Sequence, residues 1–330
     1  MNKKIIFSGV QPSGNFHLGN YLGALKSWVE LQEKYNSIFC IVDLHAITVP
    51  ENSQYLREKP LEIAKIYQAA GIDIKRSTIF VQSHIKEHAE LMWLLNSITK
   101  TGDLFKMTQF KDKTSGNREK ESVEAGLLNY PILMAADILL YDTDLVPVGE
   151  DQIQHVEFTR KLAKKFNRYY GETFKIPEAY TKKETTRIMS LTDPSKKMSK
   201  SSPSENSRIE ILENPEKAKE KIKKAVTDSG SSIEYSDAKP ALKNLINIYS
   251  AIGGLSVEEV EKQYSGKGYK ELKEDLGDLM AAFLKEFQEK YSSISDEEVL
   301  ELLDKNAKKL RREAEAKIKE VKQNMGFLVI

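Results

Sequence analysis

Ile5 to Val10 is a short apolar run closed by Gly9, Pro12 and Gly14, the pattern of a buried strand that ends in a tight turn. Directly after it, Leu18, Tyr21, Leu22, Leu25, Trp28 and Val29 recur at spacings of three and four, which predicts a helix with one apolar face over residues 17–34. Ser37 to Asp43 repeats the strand pattern, Pro60 to Ala70 the helical one up to Gly71, and Thr78 to Gln82 predicts a third strand. Strand, helix, strand, helix, strand at this spacing predicts a parallel sheet with crossover helices. Such sheets bind ligands just beyond the carboxyl ends of their strands, and the turn from Pro12 to Asn20 lies at one such end.

Residues 99–120, with Lys106, Lys111, Lys113, Arg118 and Lys120 around Gly102 and Gly116, read as an exposed, mobile loop. Val123 to Tyr141 is strongly helical in pattern, Asp144 to Gly149 predicts a further strand, and a helix follows from Glu150 to about Phe166. After Ser201 the chain turns polar, charged and almost entirely helical. The expected organisation is therefore an α/β, Rossmann-like parallel-sheet domain over 1–192, a linker over 193–203 marked by Pro194 and Pro203, and a mostly helical domain over 204–330. The last helix carries a capping box in Ser295 and Glu298 and a stop at Gly326.

Composition narrows the class without naming it. The 330 residues, 40% of them hydrophobic, suffice for two domains with a sizeable core. No apolar run approaches the ~20 residues needed to cross a bilayer, and residues 1–10 pass straight into a strand, so a cytoplasmic protein with no membrane role is expected. The single cysteine, Cys40, sits in an apolar run and reads as a buried side chain. A net charge of +1 argues against wholesale coating of nucleic acid but leaves room for a local basic face.

The candidate chemistry lies in two separated stretches. Gly9 and Gly14 have the spacing of a phosphate-binding P-loop, but Asn15 and Phe16 stand where that motif needs Lys and Ser or Thr, and no GxGxxG fingerprint occurs. Phosphates must be held another way, and the helix beginning near His17 offers free backbone N–H groups and a positive dipole end. Far downstream stands the pentapeptide Lys197, Met198, Ser199, Lys200, Ser201. Alone it also describes a solvated basic loop. Paired with Pro12, His17, Leu18, Gly19 and Asn20 it resembles the two signatures of the class I aminoacyl-tRNA synthetases. The strings Tyr130 to Tyr141 and Val146 to Gln152 narrow the resemblance to the tryptophan-specific branch.

That resemblance implies ATP and L-tryptophan as substrates, Mg²⁺ on the phosphates, tRNA(Trp) as acceptor and a symmetric homodimer. His17 would donate a hydrogen bond to the α-phosphate, and Lys197 and Lys200 would follow the leaving pyrophosphate, for which a compact ammonium on a flexible stem is suited. Gln11, Pro12, Ser13, Gly19 and Asn20 would contact the nucleotide together with Met198, Ser199 and Ser201. Gly149, Glu150 and Asp151 would meet the ribose side, and Ile188 would touch adenine through its backbone. Lys111 and Lys113 resemble further phosphate-reaching lysines, with a solvated loop as the rival. Asp137 would accept the indole N–H, with Phe7, Tyr130, Met134, Val146 and Val148 around the ring, Gln152 at the amino end and His45 nearby. The family's second signature histidine is replaced by Asn20, which leaves that position an amide contact at most.

Three other readings are set beside this one. His84, Ile85, Lys86, Glu87, His88 spells the H-x-x-E-H of a zinc hydrolase, but His84 follows a strand so closely that it is expected in a turn, and no metal site is assigned. Tyrosyl-tRNA synthetase and a non-catalytic RNA-binding relative share the fold. In the last helix Lys308, Lys309, Arg311, Arg312, Lys317, Lys319 and Lys322 surround a buried stripe, so each is either part of a solvated face or part of a tRNA surface.

Overall fold

The computed structural model describes residues 3–48, 53–114, 124–181, 187–200 and 202–329. Strands β1 (Ile5–Val10), β2 (Asn36–Ile41), β3 (Ser77–Val81), β4 (Leu145–Pro147) and β5 (Glu178–Tyr180) form one sheet in the order β3-β2-β1-β4-β5. Every pairing is parallel; β1 runs beside β2 from Ile5 opposite Asn36 to Val10 opposite Ile41, and meets β4 at Ile6 opposite Leu145. The order runs outward from β1 and then reverses, so a crevice opens between the carboxyl ends of β1 and β4.

Successive strand side chains point to opposite faces, which assigns alternate residues to two cores. Ile6, Phe39, Ile41, Ile79 and Val81 enter the first, covered by a helix over 18–31 and by the Ser53–Ala69 helix. There Trp28 stacks on Phe39 with ring centroids 4.9 Å apart. Phe7, Ile38, Cys40, Phe80 and Val146 enter the second, under the Glu87–Asn96, Ala125–Leu139 and Ile153–Tyr170 helices. With both faces covered, the strands read as unbroken apolar runs rather than alternating ones.

Local boundaries differ from the sequence pattern where tertiary packing outweighs propensity. The helix expected to start at Pro60 starts at Ser53 and keeps Pro60 inside it, held by Ile63, Ile66 and Tyr67 against the sheet. Residues 99–120, expected as an exposed loop, contain helices Thr101–Leu104 and Thr108–Thr114, with Leu104, Met107 and Phe110 buried in the second core. Their spacing of three is a helical stripe masked by the surrounding cations. The three-residue β5 has no sequence signal of its own.

The chain beyond 204 forms the helices Pro215–Lys224, Pro240–Gly253, Val257–Gln263, Tyr269–Ser292 and Asp296–Asn324. The final helix does not stay with the others along its whole length. Val299 and Leu303 pack in the first core, while Leu310, Ala314, Ile318 and Val321 pack in the second. On the way it covers the free edge of the sheet: Asn306 Nδ2 donates to the carbonyl of Ile79 in β3 at 2.9 Å, and Arg311 Nη2 to the carbonyl of His84 at 2.6 Å. Leu310→Ala is expected to cost about 2–5 kcal/mol in urea unfolding, because it leaves a cavity between that helix and the sheet. The exposed neighbour Lys309→Ala should stay within about 0.5 kcal/mol, and equal losses for the two would show that the helix is not packed there.

Candidate active site

The crevice at the order reversal contains a cavity of about 370 Å³. That is the small end of the ~300–1,000 Å³ range of small-molecule sites. Phe7, Gly9 and Gln11 line it from β1 and the turn after it, and Val146, Val148, Gly149 and Gln152 from β4 and the turn after it. Tyr130, Met134 and Asp137 line it from the Ala125–Leu139 helix, whose spacing of four and three puts them on one face. His45 completes the wall. The structure thus brings together residues read separately from three distant parts of the sequence.

Asp137 is 1% exposed, on an otherwise apolar helix. A buried carboxylate needs donors, and three surround it. His45 Nε2 lies 2.9 Å from Oδ2, while Gln82 Nε2 at 2.7 Å and His88 Nδ1 at 2.6 Å share Oδ1. Burial pushes the carboxyl pKa up, but the hydrogen bonds from His45 and His88 outweigh it and hold the group well below the ordinary carboxylate range. A carboxylate offers about four lone-pair sites, so one site on Oδ2 is left for a donor in the cavity.

A second chain of polar groups borders the same cavity. The Tyr130 hydroxyl lies 2.7 Å from His155 Nε2 and donates to Gln109 Oε1 at 3.0 Å. Burial keeps the Tyr130 phenol protonated and lowers His155 to a pKa of about 4, so His155 is a neutral ring. Gln109 lies on the Thr108–Thr114 helix, which this chain ties to the cavity wall.

On the other side of the β1 turn, His17 caps the helix at Leu18. Its Nδ1 accepts from the Asn20 N–H at 3.3 Å, and Asn20 Oδ1 accepts from the His17 N–H at 3.1 Å, a reciprocal box. The ring nitrogen that accepts carries no proton, so Nε2 is the N–H. Burial, then the charges of Lys200, Arg208 and Lys197, lower the His17 pKa to about 3. His17 is therefore a neutral donor, and Asn20, where the family has a second histidine, is what holds its tautomer.

The lysine pentapeptide reaches this turn through the backbone. Met198 N–H donates to Ile188 O at 3.0 Å and Ser190 N–H to Lys196 O at 2.8 Å, closing a hairpin in which Met198 is buried and Lys197 exposed. Beyond the loop, Leu18 N–H donates to Ile209 O at 2.8 Å and Ile211 N–H to Phe16 O at 2.9 Å. Lys200 Nζ then reaches the carbonyl of Ser13 at 2.5 Å. Its stem lies along Gly14, where φ is +61° and an added Cβ would come within 3.1 Å of the lysine. Burial, reinforced by the charge of Lys59, lowers the Lys200 pKa to about 8.

Pro12 is buried in the same turn, and Gly19 lies between the His17 ring and Met198. Glu150 and Asp151 are exposed after β4, and the Ile188 carbonyl is taken by Met198. Lys111 is exposed on its helix and does not line the cavity, where Gln109 stands instead. Ser201 and the Lys113 side chain lie outside the described residues.

The sequence pattern read His88 as a rim or capping histidine without a partner, and passed over Gln82, Tyr141, Gln109, His155 and Arg208. His88 and Gln82 had a legible signal, since a carboxylate inside an apolar helix requires polar partners within neighbouring apolar runs. The H-x-x-E-H string resolves into an exposed His84 in the turn Gln82–His84 and a fully buried His88 with both ring nitrogens engaged, on Asp137 and Tyr141.

Together the two halves can hold one flat ring bearing a single N–H donor, and beside it a polyanion. Known proteins resemble this chain along its length. The family described as class I tRNA synthetases (W and Y) matches residues 1–285. A tryptophan–tRNA ligase of Caldanaerobacter subterraneus subsp. tengcongensis is 50% identical, with 99% of each chain covered. Among solved structures, tryptophanyl-tRNA synthetase from Mycoplasma pneumoniae superimposes with a TM-score of 0.90 at 35% identity over 99% of both chains. The Campylobacter jejuni enzyme complexed with ADP and tryptophan does so with a TM-score of 0.83 at 35% identity, covering 98% of this chain and 100% of that one. With the lysine loop, the His17 helix start and the Asp137 slot arranged around one strand-order reversal, the chain belongs to the class I tRNA synthetases, in their tryptophanyl branch.

Proposed function

We infer that the chain is a tryptophan–tRNA ligase, which activates L-tryptophan with ATP and transfers it to the 3′ end of tRNA(Trp). The observation that carries this reading is the shared strand end: Gln11 lines the ring-sized cavity, and Ser13, two residues on, receives Lys200 from the phosphate side. In the first step the tryptophan carboxylate attacks the α-phosphorus of ATP; the new O–P bond forms as the bond to the β-phosphate oxygen breaks, giving tryptophanyl-adenylate and pyrophosphate. No general base is needed, because the nucleophile is already an anion. In the second step a ribose hydroxyl of tRNA attacks the adenylate carbonyl, and AMP leaves.

The chain's own groups act by positioning and charge. His17 Nε2–H faces the α-phosphate and, being neutral, donates without a charge that would hold the product. Lys200 moves from the Ser13 carbonyl to the departing pyrophosphate, and Lys197, with Ser199 and Ser201, closes over it. The turn 11–13 with Gly19 and Asn20 holds the nucleotide, along with Gly149, Glu150, Asp151 and the Ile188 backbone. The indole N–H fills the open site on Asp137 Oδ2, and Gln152 meets the amino end. Lys111 and Lys113 would add further cations for the phosphates. Mg²⁺ would enter with ATP as the counter-ion of its phosphates, part of the substrate.

Residues 204–330 would hold tRNA, for which Lys305, Lys308, Lys309 and Arg312 share one face of the final helix. Residues 1–192 would carry the chemistry and 193–203 the closing loop. A homodimer is proposed on the family resemblance. Among the described residues no helix is long and apolar enough to cross a membrane, and with tRNA as a substrate the cytoplasm is the compartment proposed.

ATP–pyrophosphate exchange run with the amino acids singly is expected to respond to tryptophan and not to tyrosine; exchange stimulated only by tyrosine would overturn the reading. Lys200→Ala should lower the activation rate about 10²–10³-fold with tryptophan affinity nearly unchanged. Because the Lys200 pKa is lowered, the free enzyme loses that cation as pH rises through about 8, so kcat/KM for ATP should fall above that pH. Lys200→Arg keeps its charge throughout and should remove that limb; a limb that persists in the variant would assign it elsewhere.

A further inference from the structure

Asp137 has two kinds of neighbour. His45 lines the cavity and can touch a ligand, but His88 is 0% exposed and does not line it. The His88 ring is enclosed by aromatic side chains: Phe80 stacks at 5.7 Å between centroids and Tyr141 lies at 5.5 Å, with Phe7 stacked on Tyr141 at 5.9 Å. Within that enclosure both nitrogens are used, Nδ1 on Asp137 Oδ1 at 2.6 Å and Nε2 on the Tyr141 hydroxyl at 2.8 Å. The buried phenol keeps its proton. With the His88 ring neutral, Nδ1 is the nitrogen that donates to the carboxylate and Nε2 is the acceptor, so the hydrogen bonds run one way, from Tyr141 O–H to His88 Nε2 and from His88 Nδ1–H to Asp137.

We propose that His88, locked in this tautomer by Tyr141, is a positioning residue for amino-acid selection: it holds the Asp137 carboxylate ionised and turned so that its one open lone pair faces the N–H of a bound indole. Gln82 shares Oδ1 and is itself fixed through Leu44 N–H to its Oε1 at 3.1 Å, so His88 and Gln82 hold that oxygen together while His45 holds the other. Without His88 the carboxylate loses one of its three donors, is held less firmly and takes up a proton more readily, and a protonated oxygen meets an N–H as donor against donor. Discrimination then falls at the one atom that distinguishes indole from an isostere without that N–H. A site built around a substrate N–H rejects analogues lacking it because its buried polar group is left unpaired.

The inference rests on the reading of Asp137 as the indole acceptor, and the test separates the two. The probe is a tryptophan analogue in which sulfur replaces the ring N–H, compared with tryptophan in ATP–pyrophosphate exchange as a ratio of kcat/KM values. That ratio belongs to the folded fraction and is insensitive to how much protein folds. In His88→Leu the preference for tryptophan should fall about 10- to 100-fold, through KM for tryptophan and with kcat and KM for ATP nearly unchanged. His88→Asn, whose amide can take the place of the Nδ1 donor, should restore most of it, whereas a merely structural role would depress both substrates alike and leave the ratio in place. Tyr141→Phe, which keeps the imidazole but frees its tautomer, should shift the ratio in the same direction. An unchanged ratio in His88→Leu and Tyr141→Phe, with Asp137→Ala collapsing it, would overturn the role of His88 alone. An unchanged ratio in Asp137→Ala would overturn the reading of Asp137, and the role of His88 with it.

Discussion

Two backbone hydrogen bonds, Leu18 N–H to Ile209 O at 2.8 Å and Ile211 N–H to Phe16 O at 2.9 Å, bring the two ends of the catalytic machinery into one place. They pair the turn after the first strand with the segment that follows the lysine loop, so the loop is suspended between the hairpin at Ile188–Met198 and this bridge. The lysines cannot drift far from the helix start, yet they are carried on a loop and not on the sheet. A cation that must follow a leaving group needs that combination of fixed anchor and free tip. Arg208 adds to the anchor, with its guanidinium on Glu210 at 3.0 Å and on the carbonyl of Ser202 at 3.1 Å, while Glu210 accepts from Asn15 at 2.7 Å.

The two halves of the crevice treat charge in opposite ways. Around Asp137 one anion is surrounded by donors and shielded from water, so its position and ionisation are settled before any ligand arrives. Around His17 the cations Lys200, Arg208 and Lys197 converge, with Glu210 paired to Arg208; the His17 ring gives up its own charge and Lys200 holds its proton less tightly than an exposed lysine. In the proposed function a bound triphosphate adds negative charge on that side. The apolar half is thus preorganised, and in that reading the nucleotide is part of what closes the phosphate half.

The final helix links these features to the rest of the chain. Its first turns belong to the core shared with the helical segment, and its later turns to the core that contains Phe80 and Phe7 on the sheet. Those rings enclose His88 and Tyr141, so the helix packs behind the amino-acid slot while its outer face stays charged. One element therefore serves packing on one side and a charged surface on the other, as its stripe of Leu303, Ala307, Leu310, Ala314, Ile318 and Val321 requires.

Much of this was legible before folding. The strand runs at Ile5 to Val10 and at Ser37 to Asp43, the second ending in the structure at Ile41, the apolar helix face from Leu18 to Trp28 and the isolated carboxylate at Asp137 follow from local side-chain periodicity and from the cost of burying a charge, which are properties of short segments. The stripe of Leu104, Met107 and Phe110 was obscured because local charge outvoted a spacing that only a nearby core rewards. Tertiary structure alone decided which donors meet Asp137 and that Lys200 rests on Ser13, since each joins groups distant in sequence, whereas the His17–Asn20 box is local, three residues apart. Residue types and periods report what a segment can do with its immediate neighbours; which polar groups face one another in the interior depends on how the layers stack, and that information exists only once the chain has closed around them.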